Sequence, residues 1–260
     1  MSPILDFKSF CIAADDWGFS PAVNRGILEL CELGVIRKVS LMATEPFLKN
    51  QLDELLKLKD VSLGLHFNLT YSENSHREKL FKFSSPGDLL KLWVFSSSKT
   101  KQKLKEWVRA EAESQLSLLQ AANVPLRHFD GHHHIHIVPG LFDVISDILK
   151  KYQIQEVRVP YDPQLWLSSK MPINFFSKNL AASKNLKDFQ ANSRFRYPSA
   201  SIFESSQKLG KYLLASKGAE VLTHPASEDD FQKYGIQDPI SYSRVLEYRA
   251  LKELATSWDF

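Results

Sequence analysis

The chain has 260 residues, enough for one large α/β domain with a substantial core or for two small domains. Hydrophobic residues make up 43% and charged residues 24%, the balance of a soluble globular protein. The net charge of +3 is spread over both signs, which argues against a nucleic-acid partner, and two cysteines, Cys11 and Cys31, argue against a disulfide scaffold.

The first residues lack the basic leader and sustained apolar region of a signal peptide. No stretch is long and apolar enough to span a bilayer, so a cytoplasmic protein is expected. Residues 10–14 form a short apolar run and predict a buried strand. Asp15-Asp16-Trp17-Gly18-Phe19 follows as a polar turn. Ser20 then reads as an N-cap with Pro21 at the first helical position. Val23, Ile27 and Leu30 recur at helical spacing, and Gly34 suits the helix end. Residues 38–43 predict a second strand and 47–58 a second helix. Over 61–70 the pattern alternates, with Val61, Leu63, Leu65 and Phe67 on one face and Ser62, Gly64, His66 and Asn68 on the other.

A long helix is predicted over 104–122, a short strand before Asp130, and a helix over 141–152. Strands are predicted at 156–160 and 220–223, and a closing helix at 243–255. Strands alternating with helices favour a parallel sheet or barrel. The chain reads as one domain over 1–260, interrupted by two long segments at about 71–103 and 161–200. The first carries Phe81, Phe83, Trp93 and Phe95; the second carries Trp166, Phe175, Phe176, Phe195 and Tyr197. Segments of this length serve as lids or binding elements, or pack their aromatics onto the domain.

The ionisable residues share a position. Asp15-Asp16 follow the first predicted strand, His66 lies near the end of the third, and Asp130 and His132 follow the next. Arg158 and His224 end the last two. In a parallel barrel these strand ends share one rim, where barrel enzymes place their sites. Of the two aspartates, one would bind a metal and the other take a proton, since a cation offsets their repulsion; a solvated turn before a helix is the alternative. Gly131-His132-His133-His134-Ile135-His136 holds four imidazoles in five positions. If extended, it places His132, His134 and His136 on one face. Histidine is a common ligand of catalytic metals, so at least one of them is expected to bind; spacing does not say which.

These strings resemble the YdjC-like (ChbG/HpnK) carbohydrate deacetylases. The match lies in residues 14–20, 64–70, 129–136 and Thr223-His224-Pro225, in the family's order. The resemblance implies a distorted (β/α) barrel related to the NodB-type polysaccharide deacetylases. It implies hydrolysis of an N-acetyl group on an acetylated sugar or oligosaccharide, aided by one divalent metal. Carried over by motif position, Asp16, His66 and His132 would be metal ligands, Asp15 the general base and His224 the general acid. Arg158 is similar to the arginine that steadies that base. Magnesium is the metal the resemblance implies, although one carboxylate and two imidazoles suit zinc, cobalt, manganese or iron better. A homodimer is implied as well. The competing classes are a metal-dependent phosphoesterase, with His134 and His136 serving a second metal, and a non-catalytic sugar-binding homologue.

Overall fold

The first apolar run extends through the aspartate pair: β1 covers Cys11–Trp17, and every residue after Cys11 is buried. The computed structural model describes residues 7–70, 81, 86–165, 171–192, 194–228 and 241–256. Phe83 and Trp166, singled out above, and the opening residues lie outside that set. The chain divides into two compact units.

One unit comprises residues 1–41, 46–62 and 193–260. Its parallel strands run in the order β2 (Lys38–Leu41), β1, β8 (Glu220–Thr223), β7 (Phe195–Arg196). Such strands are covered on both faces and read as continuous buried runs. Helix α1 (Pro21–Glu32) starts as predicted: the Ser20 hydroxyl accepts from the Val23 N–H at 3.2 Å, and Gly34, at φ +72°, follows the helix end. Helix α2 (Leu52–Lys57) is shorter than predicted, because residues 46–51 make turns.

The other unit comprises residues 42–45 and 63–192. Its strand order is β3 (Ser62–Phe67), β4 (Leu126–Gly131), β5 (Glu156–Val157), β6 (Gln190–Ala191), again parallel. The two long segments contain structure that the periodicity did not announce. Helix α3 spans Pro86–Phe95, and α4 runs Ser98–Ala121, starting earlier than predicted because the Ser97 hydroxyl caps it at the Thr100 N–H. Helix α5 (Leu141–Lys151) matches the prediction. Helix α6 (Met171–Ala181) and the two-residue strands β6 and β7 fill the second segment. A two-residue strand has no alternation to read. Helices α7 (Ser206–Ala215) and α8 (Ser241–Thr256) complete the first unit. Parallel strands alternating with helices are the α/β class expected above, that of a distorted (β/α) barrel.

One close approach fixes the β3–β4 pair. A side chain at Gly64 would stand under 3.0 Å from both the carbonyl and the ring of His128, so only glycine fits there. Gly64→Ala is therefore expected to cost about 1–3 kcal/mol, the usual range for overpacking a dense interior. A shift of the denaturant midpoint at unchanged m-value checks it; an unshifted midpoint would show that His128 yields without cost.

Candidate active site

Asp15 and Asp16 do not follow β1, as the sequence suggested, but lie inside it. Ala14 pairs with Val39 and Trp17 with Leu41, so the two aspartates face one residue, Ser40, across a β-bulge. Asp16 takes a left-handed conformation at φ +73°, which an aspartate tolerates better than most side chains. A bulge re-aims a side chain, and this one turns two consecutive carboxylates out of the ordinary alternation. Both are buried. The turn beyond is fastened from several sides. The Asn24 side chain accepts from the Gly18 N–H at 2.7 Å and donates to the carbonyls of Phe47 and Asn50. The Trp17 indole donates to the Leu48 carbonyl at 3.0 Å. Trp17 and Thr223, whose hydroxyl donates to the Ala13 carbonyl, thus serve the fold.

In the same unit Ala14 pairs with Thr223, so Asp15 and His224 come next on adjacent parallel strands. His224 is gripped through its backbone. Its N–H donates to Glu247 Oε2 at 2.5 Å, and its carbonyl accepts from Arg244 Nη1 at 3.4 Å. Arg244 Nη2 also reaches Asp16 Oδ2 at 2.6 Å. The sequence reading missed both α8 residues. An arginine and a glutamate three residues on, about one helical turn, look like an ordinary solvated pair until the helix is docked.

In the other unit, register builds a row across three strands. His66 pairs with Asp130, and Phe129 pairs with Val157, which sets Arg158 beside Asp130. His66 Nδ1 lies 2.5 Å from Asp130 Oδ1, and Arg158 Nη1 lies 3.0 Å from Asp130 Oδ2. Burial alone would push the Asp130 carboxyl up. The Arg158 guanidinium and the His66 ring outweigh it and hold that carboxyl well below the usual carboxylate range. With Asp130 ionised, the neutral form of His66 donates from Nδ1–H and keeps its lone pair on Nε2. Asp130, to which the sequence assigned no role, is the hub of the row.

His66 Nε2 lies 3.3 Å from His132 Nδ1. The histidine string is not extended: within His132–Ile137 the chain makes 3-10 turns broken by a kink at His133 and His134, which take left-handed backbone at φ +52° and φ +54°. The expected shared face of His132, His134 and His136 is therefore absent. His133 instead stacks on His132, with ring centroids 4.0 Å apart, and its Nδ1 lies 3.0 Å from the Thr70 hydroxyl. His136 is fully buried, and its Nε2–H donates to the Arg158 carbonyl at 2.9 Å. Burial pushes its imidazole down to about 4, and burial likewise holds His134 neutral.

Each unit is α/β; one carries the buried Asp15 and Asp16 near the end of a parallel strand, the other the buried His66 and Asp130. The chain belongs to the YdjC-like family, whose model, described as "YdjC-like protein", matches residues 9–257. A carbohydrate deacetylase from Halalkalibacterium halodurans is 26% identical over 143 residues, 55% of this chain and 60% of that protein. One from Danio rerio is 26% identical over 242 residues, 88% of this chain and 72% of the relative. Against the Halalkalibacterium halodurans and Clostridium beijerinckii relatives, the chain spans less than two thirds of their length, 60% and 56%. A solved structure from Enterococcus faecalis V583, described only provisionally as a cellobiose-phosphate cleavage protein, superposes with a TM-score of 0.62 at 21% identity. It covers 94% of each chain, and this likeness bears on the fold alone. Among the described residues no helix is long and apolar enough to cross a membrane.

Proposed function

We propose that this chain is a metal-dependent carbohydrate N-deacetylase that releases acetate from an acetylated amino sugar or oligosaccharide. The observation that carries the reading is the His66–Asp130–Arg158 row with His132 facing it. A carboxylate that fixes a histidine tautomer from behind is the usual support of a metal-binding imidazole. Two nitrogens held about 2.0–2.1 Å from one tetrahedral cation lie roughly 3.3–3.4 Å apart. The 3.3 Å between His66 Nε2 and His132 Nδ1 fits that requirement. The relatives named carbohydrate deacetylases support the substrate class.

In this reading His66, His132 and Asp16 hold one divalent cation. When bound, the cation would polarise the acetyl carbonyl and acidify a water. Asp15 takes a proton from that water as its oxygen adds to the acetyl carbon. His224 then gives a proton to the sugar nitrogen as the C–N bond breaks, and acetate and a free amine leave. Arg158, which the resemblance placed behind Asp15, here pairs with Asp130, and the two keep the His66 ring in one tautomer and orientation.

Acetate release from N-acetylated chito-oligosaccharides, with and without chelator, tests the activity. Restoration with magnesium, zinc, manganese or cobalt in turn tests the metal. No release with any of them would sink the reading. His66→Ala and His132→Ala are each expected to lower metal content sharply in a folded protein, as read by elemental analysis and thermal unfolding. Wild-type metal content in both variants would remove them from the ligand set.

A further inference from the structure

Helix α8 carries two buried charges, Arg244 and Glu247, which lie three residues apart on one helix face. Between them they hold groups from two different strand ends. Arg244 Nη2 donates to Asp16 Oδ2 at 2.6 Å, and its Nη1 donates to the His224 carbonyl at 3.4 Å. Glu247 Oε2 accepts from the His224 N–H at 2.5 Å. The Arg244 carbonyl accepts from the Ala226 N–H at 3.1 Å, so the backbone beyond His224 is tied to the same helix. The Arg244 guanidinium carbon also lies over the Phe19 ring, 5.2 Å from its centroid.

We propose that α8 is a brace for the reaction. Arg244 and Glu247 are positioning residues that set Asp16 and His224 relative to one another without touching substrate. The inference rests on the roles proposed above for those two residues. The chemistry favours it in three ways. A left-handed aspartate inside a bulge persists only where its surroundings over-determine it, and Arg244 supplies the charged partner at that carboxylate. A guanidinium presents two donors in one rigid fork and so serves Asp16 and His224 at once, which an ammonium on a flexible stem does not. Both backbone polar groups of His224 end on α8, so the helix fixes the backbone from which its ring projects.

The brace predicts a split between metal affinity and turnover. Arg244→Met should weaken metal binding about 10- to 100-fold, the usual cost of losing a group that supports a ligand, and lower kcat at saturating metal as well. Glu247→Ala should leave metal affinity unchanged and lower kcat about tenfold, again within the range for supporting groups. Affinity is read by calorimetric titration with zinc and with magnesium, in the absence of substrate. If Arg244→Met does not fold, Arg244→Lys replaces it. That variant keeps a charge beside Asp16 and should hold metal affinity within a few-fold while kcat falls, because the second arm of the fork is gone. The proposal is overturned if a folded Arg244→Met binds metal like the wild type, if Arg244→Lys turns over normally, or if Glu247→Ala loses metal in step with kcat.

The metal-free protein separates failure of the brace from failure of the deacetylase reading. The His224 amide proton, in a short hydrogen bond to a carboxylate, should resonate far downfield and move in both Arg244→Met and Glu247→Ala. An amide that does not move overturns the brace whatever the activity. A wild type that neither binds metal nor releases acetate overturns the deacetylase reading, and with it the positioning role.

Discussion

Asp15→Asn is expected to retain its metal and lose about 100- to 10,000-fold in turnover, the contribution usual for a positioned general base. The substitution changes almost no volume, so the bulge that holds residues 15 and 16 should survive it. The amide lacks the lone-pair basicity to accept the water's proton. Asp16→Asn should differ in kind. It weakens a proposed ligand and leaves the Arg244 guanidinium facing a neutral group where it now meets a carboxylate at 2.6 Å. Metal affinity should therefore fall first, with turnover recovering in part at high metal concentration. Calorimetry and steady-state kinetics on both variants check the division of labour. Two variants with the same metal affinity and the same turnover would show that it is wrong.

His224→Ala should likewise cost about 100- to 10,000-fold in turnover, with metal content unchanged. The structure makes this a clean experiment. His224 is anchored through its backbone N–H and carbonyl, to Glu247 and Arg244, so truncation at Cβ leaves both anchors in place. What is lost is the imidazole alone. A substrate with a much better leaving group needs less protonation and should be hydrolysed by the variant with a smaller deficit. Equal deficits on both substrates would assign His224 to carbonyl positioning. Loss of metal would make it a ligand and leave the proton donor to be found.

The order of strands and helices was legible in the sequence because its signals are local. Ser20-Pro21 and Gly34 bracket α1, the buried run of β8 stands out against its polar neighbours, and the apolar stripe of α5 sits where its periodicity put it. The placement of Asp15, Asp16, His66, His132, Arg158 and His224 at or near strand ends was legible for the same reason. Strand β5 was read at 156–160, although the strand itself covers only Glu156–Val157, whereas the two-residue strands β6 and β7 gave nothing to read, since alternation needs length.

The tertiary structure alone decided how these residues meet. His66, Asp130 and Arg158 form a row because the β3–β4–β5 register aligns them, and register depends on partners distant in the chain. The bulge that holds the aspartates requires a left-handed residue at position 16, and no glycine there announces it. The histidine string kinks where His133 and His134 take left-handed backbone, against the extended pattern its spacing allowed. Arg244 and Glu247 acquire a purpose once α8 is docked against Asp16 and His224, more than 200 and about 20 residues away in sequence. Helical periodicity says which face a residue shares. It carries no information about which distant groups that face will meet, because that is settled by packing across the whole unit.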